Sequence, residues 1–122
     1  MNREIKFRGK RLDNGEWVYG DLLHLVDGVY ISNDNGNNMA QVNPDTVCQF
    51  TGYVDKNGKE IYEGDVIHIG PDYCVVIWVE DLGGFYPKVD YAKLPCTSPL
   101  GAMLCRYNIE VIGNIHDDQK GG

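Results

Sequence analysis

Apolar and polar positions alternate along most of this chain with the period of two that marks half-buried β-strands. From Arg3 to Gly9, Ile5 and Phe7 point one way and Glu4, Lys6 and Arg8 the other. Asp13-Asn14-Gly15 then predicts a tight hairpin turn, because Asn and Gly accept the positive φ that such turns require. Glu16 to Leu23 returns as a second strand, with Trp17 and Tyr19 on one face. Val29-Tyr30-Ile31 reads as a short strand that runs into a polar loop at residues 32–38, and Gln41-Val42 starts another before Pro44 interrupts it. Val47 to Val54 and Ile61 to Ile69 flank a second turn at Asn57-Gly58, and Gly64-Asp65 signals a bend inside the latter arm.

Tyr73 to Val79 is apolar on both faces and is expected as the central core strand. Gly83-Gly84 turns the chain into Phe85-Tyr86, where Pro87 favours an edge strand. Residues 90–101, with Pro95, Pro99 and Gly101, read as a loop, with a short helix open as an option from Pro99 to Tyr107. Ile109 to Ile115 closes the fold as a strand, and residues 117–122 form a frayed tail. The pattern therefore describes one small, mainly β protein.

One stretch repeats. Phe7, Gly9, Asn14, Gly15 and Tyr19 match Phe50, Gly52, Asn57, Gly58 and Tyr62 at identical offsets, and Gly20-Asp21 corresponds to Gly64-Asp65 after one extra residue. Two hairpins with comparable surfaces would explain this. So would one economical hairpin recipe used twice, with Asn-Gly at the turn and aromatics on the arms.

Composition supports a real core. The 122 residues are 43% hydrophobic, with two Trp and eight Tyr. Charge is uneven: five basic residues against Glu4 leave the first eleven positions at +4, and six basic against seventeen acidic leave the rest at −11, for a net −7. That field disfavours nucleic-acid binding by charge alone, although Lys6, Arg8 and Lys10 with Trp17 and Tyr19 form a candidate interaction surface in which aromatic rings could stack bases. A basic first strand against an acidic body also makes a homo-oligomer plausible.

Polar residues stand where a hydrophobic leader would begin, and no apolar run approaches a membrane span. Cys48, Cys74, Cys96 and Cys105 contain no CxxC spacing, so we read them as reduced thiols of a cytoplasmic, non-membrane protein. Nothing implies a cofactor. A metal set of His68, Asp72 and Cys74 is conceivable, and Glu60, Glu63 and Asp65 could supply acid–base chemistry only if one were buried with a shifted pKa. Asp65 is equally suited to accepting backbone N–H bonds at its bend. No constellation here calls for an enzyme, and binding to an unidentified protein partner is the favoured function.

Residues 47–69, VCQFTGYVDKNGKEIYEGDVIHI, resemble the signature of the YopX family of phage and prophage proteins. Ile5-Lys6-Phe7-Arg8 and Glu110 to Ile115 fit as flanking pieces. The resemblance implies a mainly β fold whose central part is an SH3-like barrel, with no established activity and no catalytic residues. Combined with the strand pattern, it predicts an N-terminal β-hairpin region over 1–45 and a small SH3-like antiparallel barrel over 46–116. Asn14, Gly15, Gly52, Asn57, Gly58, Gly64 and Asp65 are its fold-specifying turn residues.

Overall fold

The computed structural model describes residues 4–33, 38–89 and 93–117. Ten strands account for most of them: β1 Phe7–Lys10, β2 Trp17–Leu25, β3 Gly28–Asn33, β4 Asn38–Val42, β5 Cys48–Val54, β6 Glu60–Tyr62, β7 Asp65–Ile69, β8 Asp72–Val79, β9 Gly84–Val89 and β10 Ile109–Asn114. One helix, α1, spans Leu100–Arg106. The strands form two antiparallel sheets, ordered β4-β3-β2-β1-β5-β6 and β10-β7-β8-β9. By contact density the chain divides after Phe50 into two compact units, the second being Thr51–Asp117.

In the first unit the β1–β2 hairpin forms around Gly15, whose N–H bonds Arg11 O, and Arg8 faces Tyr19 while Lys10 faces Trp17 across the ladder. Strand β2 runs two residues further than its pattern indicates and turns at Val26-Asp27 into β3. Val42 at the end of β4 meets Arg11 in a single bridge, and its side chain packs beside Gly9. Pro44 ends β4 as its chemistry requires, in a short 3₁₀ turn capped by the Asn43 side chain, which accepts from Asp45 N–H. Thr46, fully buried, accepts from Lys10 N–H and donates to the Asn43 carbonyl, tying this turn to β1. The polar loop expected at 32–38 lies partly outside the described residues. Ser32, Asn33 and Asn38 belong to the paired strands β3 and β4.

The second unit holds the larger apolar core. Ile61, Ile67, Ile69, Cys74, Val76, Leu100, Ile109 and Val111 are buried together. Helix α1 delivers Leu100, Met103 and Leu104 to this core, the i, i+3, i+4 spacing of one helical face.

Among the described residues no SH3-like barrel is present. Neither sheet closes: β10 and β9 are the two ends of the four-stranded sheet and do not pair. The reason is local and chemical. On the outer edge of β10, Val111 N–H is taken by the Asp55 carboxylate and Ile109 O accepts from Lys56 N–H. On the outer edge of β9, Pro87 contributes no N–H and its carbonyl accepts from Cys96 N–H. With those groups occupied, the ends of the sheet offer each other no ladder.

The arm Ile61–Ile69 is also divided. Gly64-Asp65 breaks it, so that β6 joins the first sheet and β7 the second. The strand Tyr73–Val79 does lie inside its sheet, Pro87 does sit on an edge, and a helix does form within Pro99–Tyr107.

Candidate interaction surface

Strand alternation places Lys6, Arg8 and Lys10 on one side of β1, and cross-strand register puts Trp17 and Tyr19 beside them. The Arg8 guanidinium lies 4.2 Å above the Trp17 ring, Lys10 Nζ 5.3 Å from the same ring, and Lys6 Nζ 5.1 Å from Phe50. All five residues named from the sequence are thus brought together. Their exposure differs from what alternation suggests: Arg8 is 8% and Lys10 5% exposed. The stems lie along aromatic surface and the charges face ring π-clouds. Such an arrangement stiffens the strand, whereas contact with phosphates needs cations that reach into an open groove.

A second surface belongs to the four-stranded sheet. Cys74 and Val76 point into the core, so Tyr73, Val75 and Ile77 point outward. Register extends this outer face: Val66 lies beside Val75, His68 beside Tyr73, Tyr86 beside Ile77, Lys88 beside Val75, and Glu110 beside His68. None of these eight residues is buried, and Tyr73 is 55% exposed. His68 stacks on Tyr73 with ring centroids 4.7 Å apart. A mostly apolar patch thus crosses β7, β8 and β9. Sequence reading missed it as a surface. The signal was available in the two apolar faces of Tyr73–Val79, which we assigned wholly to the core although one short helix covers one face.

The geometry separates the other candidates. His68 and Cys74 leave opposite faces of the sheet, so they do not converge on a metal. Among the described residues, no group of three His, Cys, Asp or Glu side chains is placed to hold one. Burial first, then the neighbouring Cys96 and Asp72, pushes the Cys74 thiol up to about 11. It is a protonated core thiol at neutral pH. Cys48 is also buried, Cys96 is half-buried and Cys105 exposed, all four as free thiols. A thiol-specific reagent at neutral pH is therefore expected to label Cys105 first and Cys96 more slowly. Cys48 and Cys74 should react only on unfolding, and mass mapping that found Cys74 among the early adducts would contradict this core placement.

Two clefts, of about 120 Å³ beside Arg11, Tyr19 and Met39 and about 190 Å³ beside Asp55, Leu104 and Tyr107, are well below the ~300–1,000 Å³ of small-molecule sites. No helix among the described residues is long and apolar enough to cross a membrane.

In a comparison with known families, the YopX protein family model matches residues 6–120. The chain belongs to the YopX family. No curated protein matches it.

The YopX-like stretch around 47–69 is built of structural locks. Gly15, Gly52, Gly58 and Gly64 all hold positive φ, between 72° and 90°. Asn14 Oδ1 accepts from Glu16 N–H across the first turn. In the second turn Asp55 takes over: its carboxylate accepts from the N–H groups of Asn57, Lys59 and Val111. Asp65, 1% exposed, accepts from Tyr62 N–H at 2.7 Å and from Asn114 Nδ2 at 3.0 Å. Glu60 is spent on the Tyr62 hydroxyl. Asp55 and Asp65 thus each bind main-chain N–H groups.

Asp55 makes this measurable. Burial works to raise its pKa, but the three N–H bonds and the Lys59 charge outweigh it and hold the group below the ordinary carboxylate value. A depressed folded-state pKa stabilises the fold above the unfolded value near about 4 and loses that contribution as pH falls through the folded value. Urea midpoints followed from pH 5 downward should fall more steeply for the native chain than for Asp55→Asn. Parallel curves would show that Asp55 is not a clamp.

Proposed function

We propose that this YopX-family chain is a non-catalytic protein-binding module of phage or prophage origin that works in the cytoplasm. The observation that carries the reading is the outer face of the β10-β7-β8-β9 sheet, where Val66, Tyr73, Val75, Ile77 and Tyr86 form an apolar patch with no buried member. Contiguous apolar surface of this kind costs solubility and marks interaction sites, and aromatic residues are enriched at interface centres. Asp55 and Asp65, by contrast, are committed to backbone donors. Nucleic-acid binding through Lys6, Arg8 and Lys10 is a second reading. It is favoured by their common face with Trp17 and Tyr19 and weakened by the burial of Arg8 and Lys10 and the net charge of −7.

A photoreactive benzophenone residue at Ile77, with a control at exposed Asp45, tests the first reading in cells carrying the source prophage or phage. Protein adducts from position 77 and none from position 45 are expected. Adducts absent from position 77 would overturn the reading, and adducts to nucleic acid at Tyr19 would promote the second.

A further inference from the structure

We propose that the occupant of this outer face is a second copy of the same chain, packed sheet to sheet about a two-fold axis. The inference rests on the face being a contact surface and adds its partner. The placement of charge on this face points to such a mate. Across the four strands, the outer face carries Glu110 on β10 at one margin and Lys88 on β9 at the other, with apolar and aromatic residues and His68 between them. A two-fold axis running along the strands exchanges left and right, so β10 of one copy lies over β9 of the other. Glu110 of each copy then meets Lys88 of its mate, twice, with Val66, Val75 and Ile77 enclosed between the pairs.

The dimensions allow it. Packed sheets lie about 10 Å apart, a gap that a lysine from one side and a glutamate from the other bridge together. Lys88 shares its row with Val75 and Glu110 shares its row with Tyr73, an offset of about 7 Å along the strand. The four-carbon stem of lysine and the roughly 30° crossing of packed sheets accommodate an offset of that order. Four strands at about 4.8 Å give a face about 19 Å wide. Two such faces bury on the order of 1,000 Å², the low end for a specific complex. The dimer is accordingly weak, with dissociation in the micromolar range (about 1–100 µM). Each chain carries a net charge of −7, so the repulsion between copies calls for measurement at about 0.15 M salt, where exposed charges are screened beyond about 8 Å.

Sedimentation equilibrium of the full chain, up to about 500 µM, is the test. The expected result is a concentration-dependent rise towards twice the 13.7 kDa chain mass. Lys88→Glu and Glu110→Lys each weaken the dimer at least about tenfold, and the double exchange recovers it to within about threefold of the native chain. Ile77→Lys abolishes it. Because that substitution could disturb folding, the charge exchange at the two half-buried margin residues decides independently. A chain that stays monomeric throughout, or single exchanges without effect, overturns the proposal. If the chain is monomeric but position 77 cross-links to a different protein, the contact face stands and the second copy falls. If neither occurs, both fall.

Discussion

Asp65→Asn is expected to cost about 2–4 kcal/mol of folding stability, although it changes neither size nor shape. Asp65 presents two acceptor oxygens, one to Tyr62 N–H and one to Asn114 Nδ2, in a site 1% exposed. An amide supplies one acceptor and one donor, so one of those N–H groups must face another N–H. Rotating the Asn114 amide does not rescue the pair, because its Oδ1 already accepts from His116 N–H and its Nδ2 also reaches the Glu63 carbonyl. The damage falls where β6 leaves one sheet and β7 enters the other. Asp21→Asn, at the matching position of the sequence near-repeat, is expected to change stability by less than about 0.5 kcal/mol, since Asp21 is exposed. Urea unfolding of both variants is the check. Equal effects would mean that Asp65 is not a lock.

Gly20→Ala is expected to cost about 3 kcal/mol or more, enough to threaten a domain whose total stability is of order 5–15 kcal/mol. Gly20 holds φ +152°, a region that residues with a Cβ rarely enter, and a Cβ there would run into the Ser32 carbonyl oxygen. That atom is main chain of the neighbouring strand β3 and cannot swing aside as a side-chain tip does. The strain therefore reaches the β2–β3 ladder around Asp21 and Ser32. Gly70→Ala is the comparison. Gly70 also has positive φ, +57°, but nothing lies within 4 Å of its added Cβ, so a loss of only about 1 kcal/mol is expected. Thermal melts that ranked the two the other way would refute the close-approach argument.

Both predictions bear on what a linear reading captures. Turns were legible because Asn14-Gly15 and Asn57-Gly58 carry their geometry in their own chemistry. The strands on either side were legible because alternation is local. Asp27-Gly28 carried a similar signal, yet the turn between β2 and β3 went unread because apolar residues continue through Leu25 and Val26. Sheet membership was not legible. Ile61–Ile69 keeps a strand-like pattern through Gly64-Asp65, and nothing in those nine residues states that their halves serve different sheets. The near-repeat misled in the same way: Asp21 and Asp65 occupy matched positions, yet one faces water and the other is fully enclosed.

Barrel closure failed for a related reason. It depends on whether two distant edges are available, and here Asp55 and Lys56, far away in sequence, occupy the edge of β10 while Cys96 occupies that of β9. Of the candidate surfaces, the cluster around β1 could be assembled from register alone. The burial of Arg8 and Lys10 could not, because alternation predicts which way a stem leaves the strand and not where its charge ends. The outer face was hidden by its own composition, since an apolar stripe reads as interior until one knows how few elements are left to cover it.

The occupied margins of the four-stranded sheet also limit how the protein can be recruited or can misassemble. At Pro87, Ile109 and Val111 the main chain offers no vacant ladder, so an incoming peptide cannot add itself as a further strand there, and stacked copies cannot grow from those points into a continuous fibre. Recognition at this sheet must be read from side chains. Main-chain pairing would accept many sequences. A side-chain surface can be retuned one residue at a time, which leaves partner choice open to change while the scaffold stays fixed.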